Sequence, residues 1–306
     1  MAKVCFAVLA HNQRACLEDL LENIRQFAPR ADVILYNGGR DDSLASGLEV
    51  DVVPYSHPLR YEGLAEFHLD VIRWVHEERR QFDFLITLDS DMLLTKAGIE
   101  DYLDQAMAHA NYMAVEFNEI PPNTDWKPGR RFHLKWRTIW QPMFGTRYPF
   151  GCFNPGQVFG RTYIERLMQF PRLDELRARV ERSHFPFLEE MIFPTLAIVL
   201  DCAPRRMPLP DQSAIRFLGY HAPEEIARYR RDPDVFMIHP VTMNVASPER
   251  EMLRQLSRGE HVDVAEFQEA FVQRQPRQAA RKQLRASVLG PVLAGLKDAY
   301  LRLVPE

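Results

Sequence analysis

The 306-residue chain contains 46% hydrophobic and 26% charged residues, a composition typical of a folded globular protein rather than a disordered one. Its 38 basic and 42 acidic residues nearly cancel, so the overall charge gives no support for nucleic-acid binding. Every apolar run is shorter than the roughly 18 residues that a membrane-spanning helix needs, and we expect no spanning segment.

The first half of the chain alternates predicted strands with predicted helices. Strands are predicted over 4–10, 31–36, 49–53, 84–89 and 112–117, and helices over 14–27, 63–79 and 97–108. The opening MAKVCFAVLAHNQR is explained better by the first strand than by a short signal peptide. The alternation predicts an α/β fold with a Rossmann-like, mostly parallel sheet and helices on both faces.

The second half is less regular. Residues 118–156 are rich in proline, arginine and aromatic residues, and we expect a long functional loop there. Helices are predicted over 161–168, 174–182 and 187–199, a short strand over 236–238, and helical structure from Ser247 onward. The four cysteines form no CxxC pair and have no metal-ligand spacing, which favours reduced thiols and a cytoplasmic location.

The predicted strand at 84–89 ends in one aspartate, and a second aspartate follows two residues later. Because ligands bind at the carboxyl ends of strands in open α/β sheets, Asp89-Ser90-Asp91 is expected to hold a metal ion or a nucleotide. A second Asp-x-Asp triplet, Asp232-Pro233-Asp234, contains proline and precedes an apolar run, so a turn or cap explains it better.

Carboxylate oxygens favour a hard divalent cation such as Mn²⁺ or Mg²⁺, and Mn²⁺ also accepts imidazole. His239 ends the run FMIH and would reach the same edge of the sheet. Two interpretations of this side chain stay open, a third metal ligand and a hydrogen-bonded structural histidine.

Two acidic residues, Glu189 and Glu190, open the otherwise apolar segment FPFLEEMIFPTLAIVL. Carboxylates are favoured at a helix N-terminus by its partial positive charge. The other interpretation is a general base whose pKa is adjusted by the phenylalanines nearby.

The segment KPGRRFHLKWRTIWQ interleaves basic and aromatic side chains. Such a segment can contact phosphate and stack on a sugar or a base. Nucleic-acid binding is the competing interpretation, and the acidic overall balance disfavours it.

An ordered set of motifs resembles the nucleotide-sugar glycosyltransferases of GT-A fold. The set is AVLAHN, VILYNGG, a Gly-led helix, LITLDSDMLL, NPGQVFGRTYIERL, FLEEMIFPTL and a late IHP, spanning about residues 3–242. Within that fold the chain is distantly similar to the core-2/I-branching N-acetylglucosaminyltransferases. Their first strand ends in a comparable His-Asn, and their catalytic segment reads Asp-Glu, four residues, then Thr-Leu. Those enzymes lack a metal-binding Asp-x-Asp, so their metal independence is not carried over to this chain.

The resemblance implies roles for the acidic residues and for His239. The family base falls on Glu190, with Glu189 as the alternative if the register differs by one residue. In metal-dependent GT-A enzymes the position of Asp89 approaches the ribose or the ion, and that of Asp91 ligates the ion. Ser90, between them, is expected to contact the nucleotide sugar. His239 is then a late third ligand.

The resemblance also implies contacts with the nucleotide sugar. His11, Asn12 and Asn37 would lie around the nucleotide at the ends of the first two strands. NPGQVFG would line the acceptor side, with Gly156 letting the backbone approach the sugar.

Together these features predict a hexosyl- or N-acetylhexosaminyltransferase that uses a nucleoside-diphosphate sugar and depends on Mn²⁺ or Mg²⁺. The acceptor would be a glycan, a glycolipid or a small molecule, and transfer would invert the anomeric carbon. Retention stays open if neither glutamate faces the acceptor. A nucleotidyltransferase would usually carry a glycine-rich phosphate loop, which AVLAHNQRA lacks, and an inactive binding module would bind the donor without hydrolysing it.

We expect a GT-A catalytic domain over 1–246, with a nucleotide-binding half (1–117) and an acceptor half (118–246), and a C-terminal helical extension over 247–306. In residues 273–302 basic side chains greatly outnumber acidic ones and flank SVLGPVLAGL. One interpretation is a helical hairpin packed on the catalytic domain. The other is peripheral attachment to the inner face of an anionic membrane, which would suit a glycolipid acceptor.

Overall fold

A seven-stranded, mostly parallel sheet forms the centre of the molecule. The structure, a computed structural model, describes residues 2–60, 63–209 and 214–274. The strands are β1 (Val4–Ala10), β2 (Asp32–Asn37), β3 (Asp51–Val52), β4 (Phe84–Asp89), β5 (Leu93–Leu94), β6 (Tyr112–Glu119), β7 (Phe150–Gly160), β8 (Pro204–Arg206) and β9 (Met237–Ile238). The central order is β3-β2-β1-β4-β7-β6-β8, in which β7 runs antiparallel to both neighbours and the other strands share one direction. β5 and β9 form a separate antiparallel pair.

Helices cover both faces of this sheet. They are α1 (Arg14–Phe27), α2 (Ala65–Glu77), α3 (Ile99–Ala106), α4 (Lys127–Lys135), α5 (Gln141–Phe144), α6 (Arg161–Met168), α7 (Leu173–Arg182), α8 (Glu189–Val199), α9 (Pro223–Arg231) and α10 (Pro248–Ser257), with a π-helix at Trp136–Trp140. Alternate side chains of β1 enter two different cores, one shared with α2, α6, α7 and α8 and the other with α1, α3, α9 and α10. A strand buried on both faces reads as a continuous apolar run. The predicted α/β fold, with a mostly parallel sheet and helices on both faces, is confirmed.

The prediction of a long irregular loop over 118–156 is wrong. This stretch contains α4, the π-helix, α5 and the start of β7. Phe132, Trp136 and Trp140 recur at every fourth residue, are buried, and pack against one another. Their helical spacing belongs to a core-facing helical face, which the surrounding basic residues concealed.

Strand β7 was also missed because its sequence contains Pro155 and Gly156. Its pairing with β6 shifts register between Phe153 and Val158, so these two residues lie in an irregular part of the ladder. Such irregularities tolerate proline and glycine and bend the strand.

The C-terminal part of the described chain packs on the rest. Helix α10 contacts α1 and α9, and residues 264–274 are helical. Residues 275–306, which hold most of the basic tail, lie outside the described residues. None of the helices in the described part is long and apolar enough to cross a bilayer. All four cysteines are buried and unpaired.

Candidate active site

Three parallel strands end level with one another and deliver polar residues to one edge of the sheet. Leu9 of β1 pairs with Asp89 of β4, and Ala10 pairs with Asn37 of β2. The residues that follow β1 and β4 therefore emerge side by side. They line a cavity of about 610 Å³, whose polar wall includes His11, Asn12, Asp89, Ser90, Asp91, Glu189 and His239.

Asp89, Asp91 and His239 form a cluster with the chemistry of a metal site. One ligand atom from each side chain lies within 4.8 Å of the others. His239 Nε2 lies 3.5 Å from Asp91 Oδ1. Two carboxylates and one imidazole form a donor set that suits Mn²⁺ and is less typical of Mg²⁺.

The small β5–β9 sheet brings His239 to this cluster across almost 150 residues of sequence. Leu93 pairs with Ile238, so the residue after Ile238 lies opposite Met92, next to Asp91. The backbone N–H of Val241 donates to the Asp91 carbonyl at 2.7 Å and fixes the same junction. The histidine reaches the sheet edge through this pair of strands rather than through the central sheet.

His239 is held in the tautomer that a metal ligand needs. Its Nδ1 lies 2.9 Å from the Arg216 carbonyl oxygen, which can only accept, so Nδ1 carries the proton and Nε2 presents a lone pair. Burial lowers the pKa of His239, which keeps the ring neutral near neutral pH. The pKa of Asp89 shifts in the opposite direction. Burial, and then the charge of Asp91, raises it to about 7. Bound positive charge would relieve this repulsion.

A fully buried arginine, Arg250, stabilises the Asp-x-Asp loop by a hydrogen bond to its backbone. Arg250 of α10 donates to the carbonyl oxygens of Ser90 (3.2 Å) and Thr242 (2.7 Å) and pairs with Asp19 of α1 at 2.7 Å. The two carbonyls belong to the segments that carry Asp91 and His239. One guanidinium therefore fixes both halves of the cluster.

The two adjacent glutamates at the start of α8 line different cavities. Glu189 lines the cavity of the Asp89–Asp91 pair, whereas Glu190 lines a second cavity of about 220 Å³. Glu190 Oε1 accepts a hydrogen bond from the Asn154 backbone N–H at 3.1 Å. Glu189 Oε2 is buried and has no hydrogen-bond partner among the described residues.

Both carboxyl groups are shifted toward the protonated form. Burial raises the pKa of Glu190 to about 8 against the opposing effect of the Asn154 N–H, and Glu116 and Asp89 raise it further. Burial raises the pKa of Glu189 well above its usual range, and the charge of Glu190 adds to this effect. A pKa of this kind suits the Glu190 carboxyl to proton transfer near neutral pH.

The second cavity has polar and aromatic walls. Glu116, Asn118, Trp126 and Phe153 line it together with Glu190. Glu116 lies at an irregularity of β6 and has a φ of 57°, a left-handed conformation that a glutamate rarely adopts. Irregularities of this kind occur next to active sites, where they redirect a side chain.

A further strained residue lies in the wall of the larger cavity. Phe187 has a φ of 58° and lines the larger cavity two residues before Glu189. A bulky residue in this conformation costs about 1–3 kcal/mol, and such strain concentrates at functional sites.

Asn37 and Gly156 are not among the residues that line the larger cavity. The Asn37 side chain donates to the Asp41 carbonyl and accepts from the Gly39 N–H, so it shapes a turn. A Cβ at Gly39 would lie 2.0 Å from the His11 carbonyl oxygen, which explains the glycine in VILYNGG. Gly156, with a φ of 78°, packs against the methyl ends of Met92 and Met237.

Sequence reasoning missed Arg250 and Arg60. Arg60 lines the larger cavity and pairs with Glu66 at 3.1 Å. Its segment has no regular pattern, and an isolated arginine carries no motif. Arg250 lies in an ordinary amphipathic helix, and only its burial distinguishes it from the other arginines.

The chain is similar in structure to several solved glycosyltransferases. No family model matches the chain, and no curated protein matches its sequence. An active-site mutant of LgtC is 10% identical, with a TM-score of 0.45 over 85% of this chain and 97% of that one. The galactosyltransferase LgtC with donor and acceptor sugar analogues is 12% identical, with a TM-score of 0.42 over 87% and 99% of the two chains. The apo bifunctional glycosyltransferase WbbM is 12% identical, with a TM-score of 0.43 over 78% of this chain and 45% of that one.

Identities and TM-scores this low assign neither a family nor an activity to the chain. None of these three structures is described as a core-2/I-branching enzyme, so that closer resemblance stays a prediction.

Proposed function

We propose that the protein is a metal-dependent glycosyltransferase that moves a sugar from a nucleoside-diphosphate sugar to an acceptor hydroxyl. One observation carries the proposal: the Asp89, Asp91 and His239 cluster shares a cavity with Glu189, while the next residue, Glu190, lines a second cavity. The donor and the acceptor would occupy two separate cavities, with Glu189 in the wall of one and Glu190 in the wall of the other.

The larger cavity is assigned to the donor. Asp89, Asp91 and His239 would hold a divalent cation, preferably Mn²⁺ because of the imidazole ligand. The cation would supply charge stabilisation for the departing diphosphate. His11, Asn12 and Ser90 would surround the nucleotide, because they follow the strands that end at this cavity.

The smaller cavity is assigned to the acceptor, with Glu190 as general base. Glu190 removes the proton from the acceptor hydroxyl as its oxygen attacks the anomeric carbon. The bond between that carbon and the diphosphate breaks, and the diphosphate leaves with the bonding electrons. A single displacement of this kind inverts the anomeric carbon.

The surroundings of Glu190 support this role. The Asn154 N–H holds one carboxylate oxygen in place, and burial keeps the pKa near the working pH. Trp126 and Phe153 offer aromatic surface for the apolar face of a sugar. Burial and the charge of Glu190 raise the pKa of Glu189, which favours its protonated form, and this form would donate a hydrogen bond on the donor side.

The proposal is tested by incubating purified protein and Mn²⁺ with a panel of nucleoside-diphosphate sugars. Slow hydrolysis or transfer that releases a nucleoside diphosphate is the expected result. Release of pyrophosphate from nucleoside triphosphates would instead identify a nucleotidyltransferase. Binding without any turnover across the panel, with acceptor sugars present, would identify an inactive binding module.

A further inference from the structure

A third cavity, of about 420 Å³, is lined almost entirely by basic and aromatic side chains. Its lining is Arg131, Lys135, Ile139, Trp140, Arg179, Arg182, Ser183, His184 and Phe185, and it includes no acidic residue. We refer to it as the basic cavity. None of these side chains lines the proposed donor cavity or the proposed acceptor cavity.

Two helices each place a pair of like charges toward this space. Arg131 and Lys135 are four residues apart on α4, and Arg179 and Arg182 are three apart on α7. Like charges at these spacings repel each other on a helix surface. The negative C-terminal end of a helix favours basic residues in its last turn, but it does not explain why both pairs line the same cavity.

Acidic partners neutralise only part of this charge. Arg179 pairs with Glu175 at 2.8 Å. Arg131, Lys135 and Arg182 have no ion pair with an acidic residue in the described ranges, 2–60, 63–209 and 214–274. Instead, the Arg131 guanidinium lies 5.7 Å from the centre of the Phe185 ring. This arrangement leaves a net positive field in the cavity, which a multiply charged anion would neutralise.

The apolar part of the lining indicates what the anion is attached to. Ile139 and Phe185, both half-buried, contribute carbon surface beside the charges. A small inorganic anion would leave this surface without a partner. A phosphate ester with a sugar or hydrocarbon body would use both parts of the cavity.

A hydrogen bond joins the basic cavity to the donor cavity. Arg60, which lines the donor cavity, donates to His184 Nδ1 at 2.9 Å. Because an arginine can only donate, Nδ1 accepts and His184 Nε2 carries the proton, as a further donor for an anion. Phe185 lines the basic cavity and Phe187 lines the donor cavity, so the same short segment borders both.

We propose that the basic cavity binds the phosphate or diphosphate group of an organic phosphate ester. The binding of this anion does not depend on the proposed function. Guanidinium and ammonium groups bind phosphate through charge-assisted hydrogen bonds, and aromatic rings cover the attached body.

The test compares geranyl diphosphate with inorganic pyrophosphate by calorimetry, with EDTA present so that no divalent cation supports binding at the donor site. The pocket variant is Arg131→Gln/Lys135→Gln. The matched control is Arg130→Gln/Arg137→Gln, which removes the same charge from exposed positions of the same stretch that do not line the cavity. Arg182→Gln, on the other helix, is a second pocket variant.

Parent and control are expected to bind geranyl diphosphate equally. The pocket variant should bind about tenfold more weakly or worse, because charge-assisted hydrogen bonds are lost. Arg182→Gln should also weaken binding. Inorganic pyrophosphate should bind more weakly than geranyl diphosphate in the parent, since it lacks a body to cover the apolar surface. Equal affinities in all variants, or no binding by the parent, would overturn the proposal.

The two proposals can fail separately. Diphosphate binding in EDTA without any sugar transfer in Mn²⁺ would refute the proposed function and leave the anion site standing. Transfer that proceeds without loss of affinity in the pocket variants would refute the anion site alone.

Discussion

Glu189 and Glu190 show how adjacent residues of one type acquire different chemistry. Glu190 accepts a backbone hydrogen bond and has a pKa of about 8, whereas Glu189 has an oxygen without a partner among the described residues and a pKa well above its usual range. Glu190 can exchange a proton near neutral pH, whereas burial shifts Glu189 toward its protonated form. We therefore expect substitutions at the two positions to affect different properties.

Glu190→Gln should reduce turnover about a hundredfold or more with little change in donor affinity, since general bases typically contribute that much. The base works as a carboxylate, so turnover of the parent should rise with pH up to about 8 and then level off. The variant should lose this dependence. The measurement is a pH profile of kcat for both proteins. A parent profile that stays flat between pH 6 and pH 9, or a larger loss of turnover in Glu189→Gln, would contradict the assignment.

Glu189→Gln should stabilise the fold, and more so at higher pH. The folded-state pKa is raised, so the parent loses stability as pH rises above the unfolded pKa of 4.5, where the unfolded chain releases the proton and the folded chain keeps it. The neutral amide removes this loss. The difference in Tm between variant and parent should therefore grow from pH 5 to pH 8.

Glu225→Gln provides a control of opposite sign for that experiment. Burial alone would raise the pKa of Glu225, but hydrogen bonds from Arg216 and from the Ala222 N–H lower it overall. The stabilisation by this carboxylate is present above the unfolded pKa and is lost in acid. Glu225→Gln should therefore lower Tm at pH 8. An unchanged or decreasing Tm difference for Glu189→Gln over the same range would refute the argument.

At the scale of elements, α10 supports the Asp89, Asp91 and His239 cluster although it contributes no side chain to it. Arg250 connects α10 to α1 through Asp19, and to the Ser90 and Thr242 carbonyls. These bonds span the two chain segments whose side chains form the cluster. The helix is therefore expected to matter for metal affinity as well as for stability.

Arg250→Met should destabilise the fold by about 1–3 kcal/mol, because the Ser90 and Thr242 carbonyls lose a buried donor and Asp19 keeps only Arg254 as an ionic partner. It should also weaken Mn²⁺ binding in whatever fraction remains folded. Arg258→Met is the matched control, since Arg258 lies at the end of the same helix with an exposed side chain. Urea denaturation measures the first effect, and calorimetry with Mn²⁺ measures the second. Equal stability of both variants would show that the buried contacts contribute little.

Regular elements and strand ends could be predicted from sequence, but long-range contacts could not. The predicted bounds of the first strand and first helix agree with β1 and α1, because continuous burial and helical periodicity are local signals. The order Asp89-Ser90-Asp91 after β4 was equally visible. The placement of Arg250 depends on packing between α10 and α1, and no local pattern encodes it.

The stretch 118–156 shows how composition can mislead. Its aromatic residues were interpreted as a ligand surface, but Trp136 and Trp140 are buried in the core. Trp126 and the basic residues remain at cavity walls. The signal that separates the two groups is the four-residue spacing of the buried aromatics, which the intervening arginines and lysines obscured.

At the scale of the whole molecule, the sheet topology brings distant parts of the chain to one edge. Parallel strands β1 and β4 supply the residues after them, the β5–β9 pair supplies His239, and α8 supplies the two glutamates. Ligands bind at this edge in open α/β sheets because the strands' carboxyl ends and the loops after them converge there. The central claim is that this edge binds a metal ion together with a nucleoside diphosphate.

Calorimetric titration of nucleoside diphosphates in the presence of Mn²⁺ tests this claim most directly. The proteins are the parent, Asp91→Asn, and Asp234→Asn from the second Asp-x-Asp, where Asp232 Oδ1 accepts from the Asp234 N–H within a local turn. At least one nucleoside diphosphate should bind the parent and Asp234→Asn equally, and bind Asp91→Asn about tenfold more weakly or worse, because an amide is a poor ligand for a hard cation. Unchanged affinity in Asp91→Asn, or no binding by the parent across the panel, would contradict the account.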